Sequence, residues 1–79
     1  MQRAFDCVMQ DSEREIRQPC SRRDCGARGT WEIRINSRTG TYYLCDPHFI
    51  EYEEVRKSRL YYVEDEMVAY MRKIGAMPR

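Results

Sequence analysis

Cys20, Cys25, Cys45 and His48 are the residues of this chain whose types and spacing can act together chemically. Cys20 and Cys25 bracket a polar turn, Ser21-Arg22-Arg23-Asp24, that can point both sulfurs inward. Cys45 and His48 are separated only by Asp46 and Pro47. Aspartate suits a helix N-cap and proline the first helical position, so a helix should begin there. That puts Cys45 at the end of the preceding segment and His48 in the first turn, within reach of one ion. The whole pattern is C-x4-C-x19-C-x2-H. Three thiolates and an imidazole are a donor set for one tetrahedral structural zinc ion. Gly26, directly after the second cysteine, allows positive φ, which lets the backbone fold back and aim N–H groups at the thiolates. Cys7 lies far from the others in sequence and reads as a small buried thiol.

Other chemistry is poorly supplied. His48 is the single histidine, so a general base beside the metal would have no imidazole left to use. A closed four-ligand site leaves no position for substrate or activated water. The H-x-E signature of the zinc deaminases and any glycine-rich phosphate loop are missing. Glu51, Glu53, Glu54, Glu64, Asp65 and Glu66 form no fixed cation loop and read as solvated helix faces. The expectation is a protein that is not an enzyme. Four cysteines would also allow disulfides, but the opening residues carry an acid early and hold no apolar run. No stretch is long enough to cross a bilayer either. The expected setting is therefore cytoplasmic, where paired cysteines more often bind metal.

The elements that must position these ligands can be read from periodicity. Ala4, Phe5, Val8, Met9 and Ile16 recur at helical spacing over residues 2–17, which predicts an N-terminal helix ending before Pro19. Trp31, Ile33 and Ile35 alternate with Glu32 and Arg34, the period of a half-buried strand. Asn36 to Gly40 is a turn, and Thr41 to Leu44 returns as the second strand of a hairpin. Beyond Pro47 there is no Gly or Pro until Gly75, and apolar residues recur at spacings of three and four, which gives one or two helices. Met67 and Met71 fall on that stripe and suit core packing against the N-terminal helix. With 79 residues, the chain makes one domain whose thin core needs a staple. The expected layout is an N-terminal helix over 1–18, a metal-bearing core over 19–56 and a helical extension over 57–79.

Cys20 and Cys25, then Gly26, a hairpin, and Tyr43-Leu44-Cys45-Asp46-Pro47-His48 opening a helix, resemble a treble-clef zinc finger. The resemblance covers residues 20 to about 56 and implies an α+β fold of knuckle, β-hairpin and helix, with the last two ligands at the helix start. Four residues separate the first pair where the commonest form has two, and histidine is the fourth ligand. Treble clefs serve nucleic-acid binding, protein binding and catalysis, so the resemblance implies a fold and a metal rather than a task.

Charge suggests where a partner would sit. Net charge is only +1, but residues 17–44 hold six arginines against two acids, whereas 45–66 hold three basic side chains against seven acids. Arg22, Arg23, Arg28, Arg34 and Arg38 would give the knuckle and hairpin a basic face for a nucleic acid or a nucleic-acid-handling complex. Trp31, Tyr42 and Tyr43 are near enough in sequence to offer stacking. Arg22 and Arg23, between two ligands, should be rigid and point outward. The alternative is a protein-binding adaptor or inhibitor, of the kind found among viral or mobile-element accessory proteins. It would dock through Arg56, Arg59, Tyr61 and Tyr62, residue types that dominate interface hot spots.

Overall fold

A computed structural model describes residues 7–13, 15–36, 38, 40–58 and 64–79. The described residues form a three-stranded antiparallel sheet and two helices, in the order β1 (Cys7–Gln10), β2 (Trp31–Arg34), β3 (Tyr42–Leu44), α1 (Asp46–Lys57) and α2 (Glu64–Lys73). It is a small α+β fold with β2 central. Val8 lies opposite Ile33, and Ile33 opposite Tyr42. Trp31 pairs across with Leu44. These residues share one face of the sheet, the face on which the core is built. Phe49 and Tyr52 of α1 and Met67 and Met71 of α2 complete it, and Ile33, Leu44, Tyr52, Met67 and Met71 are fully buried.

Among the described residues 7–13 and 15–18 the expected N-terminal helix is not formed, and the rest of that expectation lies outside the described residues. Cys7–Gln10 is a strand, and the chain turns immediately after it. Asp11 and Ser12 dictate this, because short polar side chains favour turns over helix interiors. Gln10 O accepts from the Glu13 N–H at 2.9 Å, and the Gln10 N–H donates to Glu13 Oε1 at 2.9 Å. Asp11 Oδ1 accepts from the Ile16 N–H at 2.8 Å and binds Arg28 Nη2 at 3.0 Å. The strand gives β2 a second neighbour, which a two-stranded hairpin lacks. Cys7 therefore belongs to a strand, with its Cα opposite Arg34. The buried methionines pack within the sheet-and-helix core and not against a helix at 1–18.

The hairpin and the helix at residue 46 form as expected. Gly40, at φ +88°, closes the loop between β2 and β3. Cys45 takes the N-cap position in place of Asp46, and its carbonyl accepts from the Phe49 N–H at 2.8 Å. The Asp46 carboxylate is drawn sideways instead. Its Oδ1 accepts from Thr30 Oγ1 at 2.7 Å and from the Trp31 indole N–H at 2.9 Å. These two bonds fix the start of α1 to the start of β2. Phe49 stacks face to face on Trp31, with ring centroids 3.8 Å apart and planes within 3°.

Helix α2 ends in a Schellman motif, with Gly75 at φ +79°. The Ala76 N–H reaches the Met71 carbonyl at 2.9 Å, and the Gly75 N–H reaches that of Arg72 at 3.1 Å. The reversal sends the last residues back along the knuckle. Met77 N–H binds Ser21 O, Arg23 N–H binds Gly75 O, and Arg79 and Thr41 exchange both backbone bonds. Among the described residues, no helix is long and apolar enough to cross a membrane.

Candidate metal centre

The knuckle is a narrow loop held on both sides. Across its neck, the Cys20 N–H donates to Ala27 O and the Gly29 N–H to Gln18 O, each at 2.9 Å. Its first limb lies between β3 and the C-terminal tail. The Tyr43 N–H donates to Ser21 Oγ at 2.9 Å, the Ser21 N–H donates to Tyr43 O, and the Ser21 carbonyl accepts from Met77. Ser21 is buried and ties the knuckle to both neighbours. Gly26 is not in the positive-φ region, and a Cβ there would meet nothing within 4 Å. Gly29 is the glycine the knuckle needs, because a Cβ there would stand 2.8 Å from Gln18 O and 3.0 Å from Tyr43 Cβ.

This frame brings the four sequence-predicted ligands together. One Sγ each from Cys20, Cys25 and Cys45 and a ring nitrogen of His48 lie within 4.8 Å of one another. Cys25 Sγ is 3.7 Å from Cys45 Sγ. His48 Nδ1 is 3.3 Å from Cys45 Sγ and 3.5 Å from Cys20 Sγ. A tetrahedral ion with metal–sulfur bonds of about 2.3 Å sets neighbouring sulfurs about 3.8 Å apart. The group could hold a metal ion with little rearrangement, at the junction of the knuckle, the end of β3 and the first turn of α1. Cys20 and Cys45 are buried, whereas Cys25 and His48 are partly exposed.

The thiols differ in acidity. The Ala27 N–H pointing at the Cys25 sulfur holds that thiol below its ordinary range, and the nearby Arg22 charge helps. Burial pushes the Cys45 thiol up to about 11, against the pull of the His48 N–H, and the neighbouring cysteine sulfurs add to the rise. A cation among them would reverse that penalty, since a coordinated thiol is deprotonated outright.

The arginines of the basic segment are not equivalent. Arg22 does not project outward. Its Nε donates to Ile74 O at 3.2 Å and its Nη1 pairs with Glu51 at 3.4 Å, which links the knuckle to both helices. Arg28 grips both oxygens of Asp11 at 3.0 Å, and Arg34 lies 3.6 Å from Glu32. Glu32 is buried, so the polar phase of β2 is only half solvated. Arg23 and Arg38 are exposed and carry no side-chain ion pair among the described residues. The expected stacking platform is largely spent. Trp31 is stacked on Phe49 and Tyr42 is buried, which leaves Tyr43 partly open. Arg56 lies on α1, whereas Arg59, Tyr61 and Tyr62 lie outside the described residues.

Sequence reasoning missed Ser21, Gly29 and the 75–79 tail as supports of the centre, and it missed Arg72. Arg72 approaches Tyr42, whose phenol burial pushes up and the Arg72 charge partly draws back. No family model, no curated protein and no solved structure matches this chain.

Proposed function

We propose that this protein is a small non-enzymatic module folded around one structural zinc ion, held by Cys20, Cys25, Cys45 and His48. The observation that carries the reading is the convergence of three thiols and one imidazole within 4.8 Å. Zinc suits that donor set, and four protein ligands leave no open position for catalysis. The knuckle, the β2–β3 hairpin and α1 follow one another in treble-clef order, with Cys45 and His48 at the helix start. On this reading Cys20→Ser, Cys25→Ser, Cys45→Ser and His48→Ala each lower the zinc content, while Cys7→Ser leaves it at one equivalent. Loss of metal from Cys7→Ser with retention in His48→Ala would require a four-cysteine site instead.

The module's task on this reading is to bind a nucleic acid, or a complex that handles one, through the basic knuckle and hairpin. Support comes from Arg23 and Arg38, which face solvent without an acidic partner among the described residues. With Trp31 and Tyr42 occupied internally, phosphate contact would dominate over base stacking. Binding should then weaken steeply with salt, and each phosphate contact removed should flatten the slope of log affinity against log salt by about 0.7–0.9. The test is a pull-down from lysate with and without nuclease, repeated with Arg23→Glu/Arg38→Glu protein of full zinc content. Loss of the partner in both cases is expected. Unchanged recovery from the double variant would remove the basic face from the account.

The second reading is a protein-binding adaptor or inhibitor acting through Arg56, Arg59, Tyr61 and Tyr62. Ile50 on α1, 60% exposed, and the shallow groove along Val55, Ala69 and Tyr70 favour it. Its signature is a partner that survives nuclease treatment and binds with little salt dependence.

A further inference from the structure

Three arginines that share no secondary element line one cleft. Arg23 comes from the knuckle, Arg38 from the hairpin loop and Arg72 from the last turn of α2, around a space of about 430 Å³. Among the described residues, no Asp or Glu lines it. Arg17, Arg22, Arg28 and Arg34 are each paired with a carboxylate, but these three guanidinium groups have no hydrogen bond or ion pair among the described residues. Like charges gathered around a concave surface raise the local potential for an anion.

The end of α2 does not cancel that potential. Helix C-termini present unpaired carbonyls that repel anions. Here the carbonyls of Tyr70, Met71, Arg72, Ile74 and Gly75 are all taken, by Ile74, Ala76, Gly75, Arg22 and Arg23 respectively. Gly75 and Ala76, which take two of them, also form part of one wall of the cleft with Met77 and Pro78. The remaining lining is apolar, from Tyr42, Val68 and Met77 among others. The space is larger than a bare oxyanion needs and lies at the small end of organic-ligand pockets.

We propose that this cleft binds a terminal phosphate monoester carried on an apolar or aromatic body, as in a nucleoside 5′-monophosphate or the 5′-phosphorylated end of a strand. Guanidinium forks match phosphate oxygens in pairs, and three of them suit a dianion better than the single charge of a diester. A monoester also has only one substituent to lead away, along the apolar wall. The site shares Arg23 and Arg38 with the basic face proposed above and deepens that reading, while Arg72 belongs to the cleft alone and separates the two.

The test uses the 79-residue zinc-loaded protein and adenosine 5′-monophosphate, with adenosine and inorganic phosphate as separate arms. Amide resonances of Arg23, Gly75 and Met77 should shift with the monophosphate and not with adenosine, and inorganic phosphate should bind more weakly. Arg38→Ala and Arg72→Ala, each confirmed to hold one zinc, should weaken binding about tenfold, the effect of losing one charge-assisted contact. Oligonucleotides with a 5′-phosphate or a 5′-hydroxyl separate the two sources. Tighter binding of the phosphorylated strand than of the monophosphate identifies a strand end, and equal affinity identifies the nucleotide. If the monophosphate shifts nothing, or both arginine variants bind as the parent does, the site is overturned. Equal oligonucleotide binding with either end would then still leave the strand-binding reading standing.

Discussion

Gly26 and Gly29 lie three residues apart in the same knuckle, and only one of them has no room for a side chain. Gly29→Ala should destabilise the zinc-loaded protein by about 1–3 kcal/mol, because the new methyl would drive the neck of the knuckle away from Gln18. Gly26→Ala should stay within about 0.5 kcal/mol of the parent. Chemical denaturation of the two variants checks this, and equal effects would contradict it. Asp11 gives a second residue-level test. Its carboxyl is held below the ordinary carboxylate range, first by the Ile16 N–H and then by Arg28. A depressed carboxylate contributes stability that is full above its unfolded pKa and lost as the pH falls through the folded one. The gap in unfolding midpoint between the parent and Asp11→Asn should therefore be level from pH 8 to 5 and narrow below about 3.8. A gap that closes near pH 6 would contradict the assignment. The cluster of Cys20, Cys25, Cys45 and His48 was legible at this scale because sulfur and imidazole announce their chemistry by type. Gly29 and Ser21 were not, since their roles depend on which distant strand and tail lie against them.

At the scale of elements, the hairpin and the start of α1 could be read from alternation and from Asp46-Pro47. The first segment could not. Ala4, Phe5, Val8, Met9 and Ile16 fit a helical period, but the Asp11 carboxylate accepts from the Ile16 N–H and holds a turn, and Cys7–Gln10 pairs with β2. Local spacing carried no sign of that partner. The C-terminal tail was half legible. Gly75 and Pro78 marked the end of a helix, yet nothing in sequence showed the chain returning to the knuckle. Gly75→Ala should cost about 1–2 kcal/mol, since its φ of +79° disfavours any Cβ while the space around it is ordinary. Deleting residues 76–79 removes the Met77–Ser21 bond and the Arg79–Thr41 pair. The truncated protein should bind one zinc yet release it to a chelator several-fold faster than the parent. Identical release rates would show that the tail does not brace the site.

For the whole molecule, 79 residues enclose a core built largely from Ile33, Leu44, Tyr52, Met67 and Met71 with a few neighbours. Chains of this size draw little stability from such a core alone. The cluster of Cys20, Cys25, Cys45 and His48, where we place the proposed zinc ion, joins the knuckle, β3 and α1, and Arg22 carries the knuckle onward to α2. Removing the ion should therefore loosen the sheet-and-helix packing as well as the loop. Structural zinc in small domains supplies about 10 kcal/mol or more of folding free energy. Strong chelation should abolish most of the near-ultraviolet signal of stacked Trp31 and Phe49, and zinc should restore it. The account rests on that ion, and its content is directly measurable. Metal analysis of freshly purified protein should return one equivalent of zinc per chain. A value well below half an equivalent, or a different metal in its place, would contradict it.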